Sequence, residues 1–241
     1  TVSAWGLDWG VLTAAGVRVS VEDVNRGWES RARSSGGFGS GLPLGTIWHH
    51  TASSTSPHND LAYMVHNSDD APIGNLLLDR DGAGAEAAAA AIAESGGQAV
   101  GRALDVTCKG DWDALGEWVT AQWGRVDILV NSAGIARFDR VDEAMFDTYR
   151  DVFAVNVEGS LLGMAMALGF MRTAGRGAIL NLSSTASLKG NPAMASYGAS
   201  KAAVAHFTRS AALECNRAGT DIRVNAVMPG NILTEGLIEM G

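Results

Sequence analysis

LLLDRDGAGAEAAAAAIAESGG, residues 76–97, decides how this chain is read. Three leucines end on Asp79, and an Ala-rich helical segment follows. Gly96 and Gly97 then supply the left-handed stop that a helix end favours. A strand feeding a helix is one unit of a parallel sheet covered by helices. Outward from here the unit recurs. QAVGRALDVT holds a strand, and DWDALGEWVTAQWG reads as a helix with Asp111 as its N-cap. VDILVNSAG is an apolar strand of the kind buried on both faces, running into a Gly turn. MFDTYRDVFAVNVEGSLLGMAMALGFMRTAG predicts a long helix or helix pair, and GAILNLSS another buried strand. SYGASKAAVAHFTRSAALECNRAG predicts a helix with apolar residues near helical spacing, and IRVNAVMPG a last strand.

Before residue 75 the usage differs. His49, His50, His58 and His66 lie there, with four of the seven tryptophans, and WESRARSSGGFGSGLPLG reads as an exposed loop. The 241 residues allow one large or two small domains, and 46% apolar content supports a sizeable core. A net charge of −8 and a pI of about 5.0 argue against nucleic acid or anionic membrane as partners. Cys108 and Cys215 stand far apart without metal spacing, so each reads as a small buried hydrophobe in a reducing, cytoplasmic setting. No apolar run approaches the roughly 18 residues needed to span a membrane. TVSAWGLDWG lacks the basic start and apolar stretch of a signal peptide.

Ligands of open parallel sheets sit outside the carboxyl ends of the strands. The residues ending these strands are Asp79, Asp105, the NSAG of Asn131–Gly134, Ser183 with Ser184, and Pro229 with Gly230. All are small, polar or turn-forming, as a cofactor-lined edge requires. Tyr197-x-x-x-Lys201 places a phenol and an ammonium on one helix face. A neighbouring ammonium favours phenolate and lowers the tyrosine pKa, which suits a general acid or base acting on a hydroxyl or carbonyl.

From about Leu76 to Gly241 the sequence resembles a short-chain dehydrogenase/reductase. The stretches that carry the resemblance are LDV, NSAG, FAVNVEGSLLG, GAILNLSSTAS, YGASKAAVAHFTRSAALE and RVNAVMPGNILT, in the family's order. It implies an α/β fold with a Rossmann-like doubly wound parallel sheet. It also implies a catalytic set. Asn156 is the helix Asn that helps hold a water and proton path. Ser184, rather than Ser183, polarises the substrate oxygen. Tyr197 is the acid/base. Lys201 lowers the Tyr pKa and binds the nicotinamide ribose. Asp105 and Val106 match the adenine side, and Asn131, Ala133 and Gly134 match the NNAG turn, with Ser132 replacing its second Asn. Pro229, Gly230, Ile232 and Thr234 match the nicotinamide-side loop. Asp79 falls beside the adenosine ribose, where a carboxylate accepts from the 2′-hydroxyl and repels a 2′-phosphate, favouring NAD over NADP.

The TGxxxGxG turn of complete members, which cradles pyrophosphate at a helix N-terminus, does not precede Leu76, and the lid segments after the PG loop are expected to be missing. GGFGSG (Gly36–Gly41) reads as a loop. Residues 1–82 instead resemble the start of a phage-type N-acetylmuramoyl-L-alanine amidase, with WHHTAS the most specific part. That resemblance makes His49 a zinc ligand. One ligand is short of the three that zinc catalysis needs, so no metal site is expected. The division expected is an amidase-like fragment at 1–75 (loop-rich to 45, strand–helix over 46–75) and a truncated dehydrogenase domain at 76–241. Thr46–Thr51 reads as a strand and Asn59–Asn67 as a helix. Thr46–Thr51 is expected to fill the vacant central slot of the sheet, which would otherwise leave two edges bare. ASSTSPH after it is no dinucleotide loop, because its Cβ atoms and Pro57 hinder amide contacts with phosphate.

The function expected is NAD(P)-dependent hydride transfer between nicotinamide and a secondary alcohol or ketone. ALECNRAGTDIRVNAVMPGNILT leans toward cyclic alcohols or hydroxysteroids, and the missing phosphate loop is expected to impair activity. The alternatives are a zinc-dependent peptidoglycan amidase fragment and an inactive chimera. The implied partners are a small-molecule substrate and a second copy of the chain through helix faces near Phe153–Phe170 and Tyr197–Glu214.

Overall fold

The structure is a computed structural model and describes residues 62–68, 71–80, 82–94, 96–143 and 145–230. Strand β1 (Ala62–Ser68) is followed by β2 (Ala71–Asp79), helix α1 (Ala83–Glu94), β3 (Gln98–Ala103), α2 (Lys109–Gln122) and β4 (Ile128–Asn131). Then come α3 (Phe146–Phe153), a π turn (Ala154–Glu158), α4 (Gly159–Ala174), β5 (Arg176–Leu182), α5 (Ala195–Arg217) and β6 (Asp221–Val227). These strands form one sheet in the order β3-β2-β1-β4-β5-β6.

The leucines of β2 show why the sheet is covered on both sides. Alternate residues of a strand face opposite ways. Leu76 and Leu78 enter a core with Trp112 and Val119 of α2, Leu129 of β4 and Met164 of α4. Leu77 enters a second core with Ala85, Ala89 and Ile92 of α1. All three leucines are almost fully buried. Each contributes about 1.5–3 kcal/mol by leaving water. Cys215 of α5 lies in the larger core, whereas Cys108 is exposed just before α2, so only one cysteine behaves as a buried hydrophobe.

Helix α4 rides close to the strand ends because two of its positions lack a side chain. A Cβ at Gly159 would stand 2.9 Å from Val106 Cγ2, and one at Gly163 would stand 2.5 Å from Asn131 Oδ1. The continuous helical stretch Phe146–Ala174 is long and apolar enough to cross a membrane by length and composition, contrary to the expectation that no apolar run approaches that length. Its most apolar window is 56% buried within the fold, as a core helix is.

The parallel pairs β2–β3, β4–β5 and β5–β6 match expectation. The central slot does not. It is occupied by β1, which runs antiparallel to β2 (Ala62 opposite Leu78) and to β4 (Ala62 opposite Asn131). The sheet is therefore mixed, not wholly parallel. Residues 62–67 of the expected helix Asn59–Asn67 are strand. Two flanking strands with unpaired backbone groups outweigh local helix preference, because an extended segment satisfies both at once. Thr46–Thr51 and Gly36–Gly41 lie outside the described residues, but the slot assigned to Thr46–Thr51 is taken by β1. Register shifts between His66 and Ser68, opposite a segment of β2 that includes Pro72, which has no N–H to donate.

Candidate active site

At the carboxyl end of β5 the chain turns through Ser183 and Ser184 into a short 3-10 turn, Thr185–Ser187, which Ser184 caps by accepting from Ala186 N at 3.1 Å. Ser183 is turned inward and donates to Lys201 O at 2.8 Å. Its neighbour Ser184 is hydrogen-bonded to the Tyr197 phenol, as the sequence reading favoured. Tyr197 and Lys201 stand one turn apart on α5, with the Lys201 ammonium 5.8 Å from the Tyr197 ring centre. Lys201 is buried, and its Nζ donates to Leu182 O at 2.9 Å.

Burial pushes the Tyr197 phenol above its ordinary 10.0, and the hydrogen bond from Ser184 only partly opposes this. The expected lowering is thus reversed in the free protein. Spacing on a helix reveals the ammonium but not the desolvation, which disfavours phenolate.

Asn156 sits inside the π turn and is fully buried. Its Oδ1 accepts from Ile135 N at 2.8 Å and its Nδ2 donates to Ile135 O at 3.0 Å, clamping the loop after β4. That loop brings Gly134 against the ammonium: a Cβ there would lie 3.0 Å from Lys201 Nζ and 3.3 Å from Asn156 Oδ1. Asn131 and Ala133 are buried in the same turn. Asn131 Nδ2 donates to Ser160 O at 3.1 Å and to Asn181 Oδ1 at 2.8 Å, so its role in the fold is to tie β4 to α4 and β5.

A second group gathers at the ends of β2 and β3. Asp79 is buried, accepts from Arg80 N at 2.7 Å, and lies against Gly84 in the first turn of α1. Arg80 Nε stands 3.6 Å from Asp105 Oδ2. Burial raises the Asp105 carboxyl, but hydrogen bonds from Thr107 and the charge of Arg80 outweigh it and leave the pKa below 3.8. Val106 is buried, and its carbonyl accepts from Trp112 Nε1 at 2.9 Å. Asp111 is not the N-cap of α2. Cys108 holds that position, and Asp111 reaches back from the first turn to accept from Asp105 N at 3.0 Å. Pro229 and Gly230 follow β6, where Pro229 O accepts from Thr185 N at 2.9 Å and joins this loop to the Ser184 turn. Ile232 and Thr234 lie outside the described residues, as do His49, His50 and His58. Among the described residues no group of three or more His, Cys, Asp and Glu is placed to hold a metal ion.

Two contributors escaped the sequence reading. Asp139, in the loop after β4, accepts from Ser196 N with both oxygens at 3.1 Å and from Ser196 Oγ, capping the helix that carries Tyr197. The α5 N-cap position, Met194, offers no side-chain bond, and that missing local cap was the available signal. Ser200 accepts from Asn156 Nδ2 at 2.9 Å and donates to Tyr197 O at 2.7 Å.

The sequence matches the short chain dehydrogenase family over residues 63–240. The chain belongs to that family. It is 44% identical over 156 residues to the inactive 2-(S)-hydroxypropyl-CoM dehydrogenase 2 of Xanthobacter autotrophicus, covering 65% of this chain and 66% of that one. It is 39% identical over 147 residues to the cyclopentanol dehydrogenase of Comamonas testosteroni, covering 61% and 58%. Among solved structures, NAD+-bound xylitol dehydrogenase superposes with a TM-score of 0.61 at 35% identity, covering 64% of this chain and 59% of that one. This short-chain dehydrogenase thus spans less than two thirds of the length of these relatives. Its Rossmann-like architecture of parallel strands and helices is the family's. The reversed β1 enters the sheet at the carboxyl edge instead of leaving it there, so β1 does not lead into a phosphate-facing turn and helix.

Proposed function

We propose that this chain is an oxidoreductase that interconverts a secondary alcohol and a ketone with a nicotinamide dinucleotide. The observation that carries the reading is the Ser184–Tyr197–Lys201 cluster, with Gly134 letting the loop after β4 come close to the buried ammonium. The donor set fits the two ends of the cofactor: Lys201 and the Gly134 turn at the nicotinamide ribose, and Asp79, Asp105 and Val106 at the adenosine. A carboxylate at Asp79 supports NAD over NADP. When bound, the cofactor supplies the hydride acceptor or donor at nicotinamide.

The chain's residues handle the proton. In reduction, Tyr197 Oη donates its proton to the carbonyl oxygen as hydride reaches the carbonyl carbon. In oxidation, the phenolate takes the hydroxyl proton as hydride leaves the same carbon. Ser184 orients that oxygen. Burial holds Tyr197 protonated, the form that serves reduction. Similarity to a cyclopentanol dehydrogenase supports a small cyclic or secondary alcohol as substrate. In this reading the dehydrogenase domain takes in β1 and the whole of β2, so its boundary falls before residue 62 rather than at residue 76.

The test is titration with NADH, followed by tryptophan fluorescence, together with cyclopentanol-dependent reduction of NAD. Tyr197→Phe should bind NADH like the parent and lose about 10²–10⁴-fold in kcat. Absence of both binding at millimolar NADH and turnover would sink the proposal.

A further inference from the structure

The Asn156 side chain directs its polar atoms to the protein, with both amide hydrogens committed. Its oxygen serves Ile135 N, and its two amide hydrogens go to Ile135 O and Ser200 Oγ. Ser200 is itself fully buried, so its hydroxyl meets neither substrate nor solvent. It passes the connection on by donating to Tyr197 O at 2.7 Å. A serine that bonds back onto its own helix bends or fixes the turn that it spans. Here that turn carries Tyr197 at one end and Lys201 at the other. The opposite end of the chain of bonds is Ile135, next to Gly134, which faces the Lys201 ammonium.

We propose that Ser200 is a positioning residue. Through Asn156 it locks the Gly134–Ile135 loop to the Tyr197–Lys201 turn, setting how closely Gly134 approaches Lys201 Nζ. The inference rests on the oxidoreductase reading of this site for its catalytic consequence, but not for the lock itself. A hydroxyl that merely fills a buried position would stabilise α5 without coupling the two elements. Thr208 is such a hydroxyl. It is buried on the same helix and bonds back to Val204 O at 2.7 Å, but its other partner is Asn181 in the core.

The experiment compares Ser200→Ala with Thr208→Val in the full chain. The first readout is hydrogen exchange at the Ile135 amide, which needs no substrate. Loss of one buried hydrogen bond in the lock should speed that exchange about tenfold in Ser200→Ala relative to Thr208→Val. The second is kcat against KM with cyclopentanol and NAD: kcat falls about tenfold in Ser200→Ala with the alcohol KM held, and stays at the parent value in Thr208→Val. Should Ser200→Ala not fold, Ser200→Cys keeps a side-chain group at the position, slightly larger and with weaker hydrogen bonding, and is read the same way. Ile135 exchange as slow in the Ser200 variant as in Thr208→Val overturns the proposal. A parent chain without turnover counts against the oxidoreductase reading, and the exchange result then decides the lock alone.

Discussion

Gly134→Ala is the sharpest probe of the close approach of this loop to Lys201. The backbone at Gly134 is not in the left-handed region, so alanine meets no conformational strain there. What it meets is a Cβ 3.0 Å from Lys201 Nζ and 3.3 Å from Asn156 Oδ1. Both are closer than relaxed van der Waals contact, so one neighbour must retreat by a few tenths of an ångström. Asn156 is held by three hydrogen bonds, and Lys201, on a longer stem, is the one that yields. Forcing a methyl into a packed site costs about 1–3 kcal/mol. Removing a glycine from the unfolded chain returns about 0.4–1 kcal/mol. The net loss of stability is therefore at most about 2.6 kcal/mol, and Tm should fall by only a few degrees at this chain length. The rate should suffer more, because a displaced ammonium misplaces both the phenol's electrostatic partner and the cofactor ribose. About 10–100-fold is expected in kcat/KM. Calorimetry, NADH titration and initial rates on one preparation separate the two effects. A variant with parental NADH affinity and parental kcat/KM would refute the placing of the cofactor beside Gly134 and Lys201.

Asn181→Leu should destabilise the chain by about 1–3 kcal/mol for each buried partner left unsatisfied, read from urea unfolding, since Asn131 Nδ2 loses its acceptor and Thr208 its donor. Because burial raises the Tyr197 phenol, alcohol oxidation needs a scarce phenolate and should speed up about tenfold per pH unit from pH 7 upward, while ketone reduction stays level. A flat oxidation profile over about pH 7–10 contradicts that role. The Asp105 pKa lies below 3.8 in the folded chain, so its contribution to stability is complete above that value and lost as pH falls through the folded pKa. Asp105→Asn should accordingly flatten the acid limb of unfolding free energy against pH, and an unchanged limb would show that other carboxylates govern it.

The parts of this molecule legible in sequence are those decided locally. The β2 leucines, the α1 stop at Gly96 (φ 83°) and the Tyr197–Lys201 face depend on neighbours within a turn or two. The parts that were not legible depend on distant chain. Residues 62–68 are a strand because of the gap between β2 and β4, not because of their own composition. Asp139 caps a helix more than fifty residues later in the sequence. The Tyr197 shift follows from what covers the ring, and the Asp111 carboxylate found an amide outside its own helix. Cys108 and Cys215 are the same residue type with opposite exposure for the same reason.

The reversal of β1 also bears on how the sheet is assembled. In a wholly parallel sheet the central strand reaches its neighbour through a crossover of a dozen or more residues. Here Ser68 pairs with Ala71, so the central strand and β2 form a hairpin closed by two residues. Hairpins of this kind form in about 1–10 μs, and short loops carry little closure entropy. The middle of the sheet can thus be built first from adjacent chain, leaving β4 to dock on a template already in place.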